Sequence, residues 1–219
     1  SLFYAFNISF NLFMSGSLNR LAPEIIKAGI FDNIKNFSQL KKRISNTKSY
    51  NQRGRTKTEG DIFEIFCEAY LNVNQEYQAK KVYPQGYVPL NILRKLSLNP
   101  NDDGYDGVYE TIDGKFVTYQ SKFRSKNENL QWQGKNGLSS TVGVSQRADN
   151  IHLIASTRKV SPSFISKDKV ILTLENTLNN IDNVYFNKIE KWLKRKKFIQ
   201  EGLHHPDEYQ IEAINNIHK

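Results

Sequence analysis

The stretch Asp102-Asp103-Gly104-Tyr105-Asp106-Gly107-Val108-Tyr109-Glu110-Thr111-Ile112-Asp113-Gly114-Lys115-Phe116-Val117-Thr118-Tyr119-Gln120-Ser121-Lys122-Phe123-Arg124-Ser125-Lys126 decides the fold. Two β-prone runs, Gly107–Ile112 and Lys115–Phe123, flank Asp113-Gly114. Asp-Gly between such runs predicts a hairpin with a tight two-residue turn, whose central positions both need positive φ. Asp106 stands at the mouth of the first strand. On the second strand Gln120 and Lys122 are two apart and leave the same face, whereas Tyr119, Ser121 and Phe123 leave the other.

An Asp followed by Gln-x-Lys on the neighbouring strand resembles the PD-(D/E)xK nuclease superfamily. The similarity is to its Mrr-like restriction endonuclease branch, in which Gln often replaces the acid. Asp-Gly-Tyr-Asp-Gly-Val and Tyr-Gln-Ser-Lys-Phe carry the resemblance, with Tyr105 in place of the Pro that names the motif. It implies an α/β, restriction-endonuclease-like fold: a mixed sheet of four or five strands flanked by helices. It also implies Mg²⁺ as cofactor, with Mn²⁺ able to substitute, and double-stranded DNA as substrate.

Phosphodiester chemistry explains these residue types. A hard divalent ion takes oxygen ligands, usually one or two carboxylates with waters and phosphate oxygens. Asp106 offers a carboxylate, Gln120 an amide oxygen and Ser121 its main-chain carbonyl. Lys122 would orient or help deprotonate an attacking water, or offset charge on the phosphorane.

The chain has 219 residues, enough for one good-sized domain with appendages. Lysine and arginine outnumber the acids 31 to 22, a net charge of +9 that suits a polyanionic partner. One cysteine, Cys67, excludes an intramolecular disulfide and a cysteine zinc cluster, and points to the cytoplasm. Ser1–Phe13 is apolar and aromatic but too short to span a bilayer, so no membrane partner is expected. Two readings stay open for it: residues ahead of a natural start at Met14, or a terminal element packed on the core.

Residues 1–50 read as a helical, basic arm, with Ile25, Ile26 and Ile30 on one helix and Phe37, Leu40 and Ile44 on the next. Lys41, Lys42, Arg43, Arg53 and Arg55 form a run of positive charge suited to a DNA backbone. Thr58 to Val73 reads as a helix with a Thr58–Asp61 capping box and a stripe of Ile62, Phe63, Phe66, Ala69, Tyr70 and Val73. Its opening Thr-Glu-Gly-Asp-x-Phe-Glu also resembles the Mrr-like branch, which implies that Glu59 joins the metal site directly or through water. Cys67 reads as core filler.

Tyr77–Tyr83 reads as a strand, Leu138–Asp149 as a helix, and Ile151–Ala155 and Val170–Leu174 as two further strands. In the polar loop 124–140, Arg124, Lys126, Trp132 and Lys135 are candidate DNA contacts, Trp132 being equally suited to anchor the loop. His152 on its apolar strand reads as a core residue. Residues 51–175 therefore make up the expected nuclease core, and 176–203 a basic linker helix.

The close of the chain, His205-Pro206-Asp207-Glu208-Tyr209-Gln210-Ile211-Glu212-Ala213-Ile214, resembles the segment that opens superfamily 2 helicase cores ahead of their phosphate loop. Residues 204–219 then read as the start of a helicase domain, and the chain as the N-terminal part of a helicase–nuclease similar to type ISP restriction helicases. The expected activity is Mg²⁺-dependent DNA cleavage. The alternative is a non-cleaving DNA-binding module that loads the helicase onto duplex.

Overall fold

A computed structural model describes residues 22–47, 51–52, 55–56, 59–134 and 137–194. Helices α1 (Ala22–Lys27) and α2 (Phe37–Ser45) come first, followed by two paired two-residue strands, β1 (Asn51–Gln52) and β2 (Arg55–Thr56). Helix α3 (Glu59–Val73) and a short 3₁₀ turn then lead to β3 (Ala79–Pro84). After α4 (Leu90–Leu96) come the hairpin strands β4 (Gly107–Thr111) and β5 (Phe116–Lys122). The remainder alternates: α5 (Ser139–Val144), β6 (Asn150–Ala155), α6 (Pro162–Ile165), β7 (Val170–Thr173), α7 (Glu175–Asn179) and α8 (Asn183–Leu193).

The fold is α/β: a five-stranded mixed sheet in the order β3-β4-β5-β6-β7 with helices on both faces, consistent with a restriction-endonuclease-like sheet. The first three strands run antiparallel and β5, β6 and β7 run parallel. Parallel pairing requires a crossover, and the segments holding α5 and α6 supply one each. β5 lies at the centre, paired on one edge with β4 and on the other with β6, so its side chains are buried on both faces.

The principal core lies between the sheet and α1, α2, α3 and α8. α3 is its axis, with Ile65, Cys67 and Leu71 buried as well as the expected stripe. Helices on its outer side account for this, since a helix apolar around most of its circumference is stable only when enclosed. Phe66 stacks on Phe186 of α8, and Phe63 meets both Phe37 of α2 and Phe123 just beyond β5. Each such side chain, fully buried, contributes about 1.5–3 kcal/mol. The segments read as an arm and a linker thus join one core: Leu40 and Ile44 of α2 and Phe186, Ile189 and Leu193 of α8 are buried in it.

Two local expectations change. The hairpin loop has three residues, Ile112-Asp113-Gly114, because Thr111 and Lys115 close it through Thr111 N–H to the Lys115 carbonyl at 2.9 Å. Only Gly114 takes positive φ, at +79°, as a three-residue loop with a terminal bulge demands. The Thr111 hydroxyl explains the extra residue, since it bonds both the Asp113 carboxylate and the Lys115 N–H. The predicted helix Leu138–Asp149 is only Ser139–Val144, followed by a turn in which Ala148 N–H donates to the Ser145 carbonyl. Ser145 leaves the helix and takes a hydrogen bond from Thr118 of β5 at 2.8 Å, favouring an early end over another turn.

No helix among the described residues is long and apolar enough to cross a membrane. Residues 1–21, Arg53, Thr58, Lys135 and 195–219, with the helicase-like close of the chain, lie outside the described residues.

Candidate functional site

β4 ends at Gly107, where it pairs with Tyr119, but β5 runs on to Lys122. Among the described residues, the edge of β5 at Ser121 therefore has no facing strand. Backbone groups left so cost free energy unless something replaces the missing partner. Asp106, the residue just before β4, does so: its N–H donates to the Tyr119 carbonyl at 2.8 Å, and its carboxylate turns onto Ser121.

Three donors meet on Asp106 Oδ2: the Ser121 N–H at 2.5 Å, the Ser121 hydroxyl at 2.6 Å and Gln120 Nε2 at 2.8 Å. Gln120 and Ser121 leave β5 on opposite faces, yet both reach Asp106 because its carboxylate sits in the plane of the sheet at the strand end. Gln120 is buried, and its Oε1 has no hydrogen-bond partner among the described residues. Gln120 Nε2 also lies 3.4 Å from the Ser121 carbonyl, which places amide, carbonyl and carboxylate at one point.

Burial raises the Asp106 carboxyl above the ordinary carboxylate range, opposed by the hydrogen bonds from Ser121, the positive charge of Lys122 and the bond from Gln120. Lys122 is half-buried and forms no ion pair among the described residues, so its charge acts on Asp106 through space. Asp106, Gln120, Ser121 and Lys122 are thus brought together.

Glu59 is placed differently. It opens α3, half-buried, without a hydrogen bond to the other candidates among the described residues. Two other carboxylates of α3, Glu64 and Glu68, act on buried groups that Asp106 also acts on. Burial first, then the charges of Asp106 and Glu64, push the Cys67 thiol up. Tyr119 is raised by burial and then by Glu68, Asp106, Cys67 and Glu64. Glu64 was legible in principle, because it stands three residues before Cys67 and next to Phe63, on the flank of the buried stripe. Cys67 and His152 are both buried, as their apolar settings predict.

The candidate DNA contacts divide. Lys41 Nζ is 2.6 Å from Glu175 and donates to the Ser156 carbonyl at 2.7 Å, so its charge is committed inside the fold. Arg43 Nη1 donates to the carbonyls of Gly29, Ile30 and Asp32, closing the turn after α1. Lys42 between them is exposed. Successive helix residues point about 100° apart, so a run of charge in the sequence is not a patch in space. The side chain of Arg55 lies outside the described residues. Arg124 is half-buried, with Nη1 on its neighbour's carbonyl, while Lys126 is exposed. Trp132 packs at the edge of the core beneath α6, with Lys167 Nζ 5.3 Å from its ring centre, which leaves that face covered.

Neither the protein-family models nor the curated proteins compared with this chain give a match.

Proposed function

We propose that this chain is a metal-dependent DNA endonuclease domain of the PD-(D/E)xK type, acting as the N-terminal part of a helicase–nuclease. The observation that carries this reading is the meeting of the Asp106 carboxylate, the Ser121 carbonyl and the side-chain amide of Gln120, whose Nε2 faces both oxygens, at the open end of β4. Gln120 Oε1, buried nearby without a partner among the described residues, would cost about 1–3 kcal/mol unless a water or a ligand meets it.

The donor set fits a hard cation in chemical type. Among the described residues the three hydrogen bonds to the Asp106 carboxylate fall on Oδ2, which leaves Oδ1 to face an ion, and the other two donors are an amide and a main-chain oxygen. Mg²⁺, or Mn²⁺ in its place, would be held by Asp106, Gln120 and Ser121. Bound there, it would supply Lewis-acid activation of the phosphodiester. The chain's own contributions are distinct. The Ser121 N–H and hydroxyl fix the carboxylate in one orientation, and strand pairing with β6 fixes Ser121 itself. Lys122, half-buried beside the site, places a positive charge where negative charge grows on the transferring phosphate.

The test is incubation of supercoiled plasmid with Mg²⁺ or Mn²⁺. The unaltered chain nicks it, and Lys122→Ala, which folds normally, does not. Equal nicking by both would refute the role of Lys122.

One observation favours the alternative of a non-cleaving module that loads a helicase onto duplex: Gln120 stands beside Asp106 where a second carboxylate would complete the site. DNA binding with no nicking in either metal would establish that reading.

A further inference from the structure

β5 and β6 run parallel, and the loops leaving their C-terminal ends stay joined after the strands stop. Ser156 N–H donates to the Lys122 carbonyl at 3.1 Å, and the Ser156 hydroxyl bonds the N–H and the carbonyl of Arg124 at 2.6 and 2.9 Å. Asn127 Oδ1 accepts from the Thr157 hydroxyl at 2.9 Å and from Arg158 N–H at 3.2 Å. Leu130 N–H donates to the Lys159 carbonyl, and Ser161 N–H to the Leu130 carbonyl, each at 2.9 Å. A parallel bridge between Leu130 and Val160 closes the pair, with both residues buried beneath it. Segments 124–130 and 156–161 therefore form one braced ledge that starts at Lys122.

The outer side of the ledge is basic. Lys126, Arg158 and Lys159 are exposed, with Arg124 half-buried at its root. Two acids are near. Glu175, mostly buried, is held by Lys41 at 2.6 Å, and Arg158 Nε lies 3.5 Å from its other oxygen. Glu128, largely exposed, is 4.0 Å from Arg124 Nε. Neither acid pairs with Lys126 or Lys159 among the described residues.

We infer that this ledge is a binding surface for the phosphate backbone of duplex DNA, with Lys126, Arg158 and Lys159 seating the strand against Asp106 and Lys122. The inference deepens the nuclease reading and rests on it for the choice of DNA as partner. Cations on flexible loops lose conformational entropy on binding, whereas the bracing by Ser156, Asn127 and Thr157 removes the backbone share of that cost beforehand. Phosphates engaged by lysine and arginine release condensed counterions, so the surface has a measurable signature.

The experiment is fluorescence anisotropy of an end-labelled duplex across a salt series in chelator, with the chain carrying Asp106→Asn so that no cleavage intervenes. Lys126→Gln, Arg158→Gln and Lys159→Gln together should weaken binding and lower the slope of log Kd against log salt by about 2–3. A control with exposed Lys27, Lys35 and Arg94 changed to Gln should keep the parent slope. An unchanged slope in the ledge variant, or an equal fall in the control, overturns the inference. The outcome separates from cleavage: nicking by the unaltered chain with an unchanged slope removes the ledge alone, whereas a reduced slope without any nicking supports the ledge and removes the nuclease.

Discussion

Gly107 and Tyr119 face each other across the hairpin so closely that a methyl group on Gly107 would collide with the Tyr119 hydroxyl and with the Tyr83 carbonyl. The missing side chain lets the Tyr119 ring lie across β4, and the chain next to it is Asp106. Gly107→Ala should therefore cost about 1–3 kcal/mol, as overpacking does in a tight core. It should also lower cleavage far more than the conservative Val108→Ile. Thermal melting and plasmid nicking on the same preparations check both effects. An alanine variant as stable and as active as the parent would show that β4 can give way.

Asp106 sits where ionisation is disfavoured. Its carboxyl is raised by burial in the folded chain, so the charged form at neutral pH subtracts from stability, and that loss is relieved as pH falls through the raised value toward the ordinary one. Asp106→Asn keeps an oxygen for the Ser121 and Gln120 donors while removing the charge. It should abolish nicking and raise the melting temperature, because a charge that burial disfavours is removed. A fall in melting temperature at pH 7 would mean that the hydrogen bonds need the full charge.

Gln120 donates to Asp106 in the metal-free chain, a bond that glutamate cannot make once both carboxylates are charged. Gln120→Glu should therefore lower metal-free stability and lift one of the paired carboxyls, since like charges cannot both ionise cheaply at this spacing. It should at the same time tighten Mn²⁺ binding, because a second carboxylate suits a hard cation better than an amide. The diagnostic is the increase in melting temperature on adding Mn²⁺, which mass action ties to affinity. The increase should be larger in the glutamate variant. An equal or smaller increase counts against residue 120 as a ligand.

His152 is fully buried in a polar chain, with Tyr109 Oη 3.2 Å from Nδ1 and the Thr173 hydroxyl 2.8 Å from Nε2; that hydroxyl is 2.6 Å from Tyr77. Burial lowers its pKa to about 3. The unfolded chain takes up the proton first, near pH 6.5, so stability present above that value is lost as pH falls from there toward about 3. The loss should approach about 1.4 kcal/mol per pH unit, opposite in sign to the Asp106 contribution. His152→Gln retains polar atoms for both hydroxyls and should flatten this slope. Urea midpoints at pH 7, 6 and 5 measure it, and parallel curves for parent and variant would show that other groups govern acid sensitivity.

Local patterns carried much of the architecture. Alternation placed β5 and its two faces correctly, with Tyr119 and Phe123 turned to α3, and helical spacing identified the buried stripes of α2 and α3. The error at the hairpin tip had a local cause that sequence rules weigh poorly, the Thr111 hydroxyl competing for the turn's N–H groups. The error at Leu138–Asp149 came from Ser145 being drawn to Thr118 on another element. Lys41 and Arg43 are drawn into the fold for the same reason: their partners, Glu175 and Ser156 for one and the carbonyls after α1 for the other, are chosen in space.

By itself the sequence determined what nearest neighbours enforce: strand alternation, helix periodicity, the glycines at the hairpin and the presence of Asp106, Gln120 and Lys122 on it. Only the tertiary structure decided that β5 outruns β4, so that Ser121 and Gln120 converge on one oxygen of Asp106 from opposite faces, and that two loops lock into a basic ledge. The division has a physical basis. Backbone stereochemistry acts over a few residues, whereas the need to pair every buried polar group is met by whatever partner folding brings near.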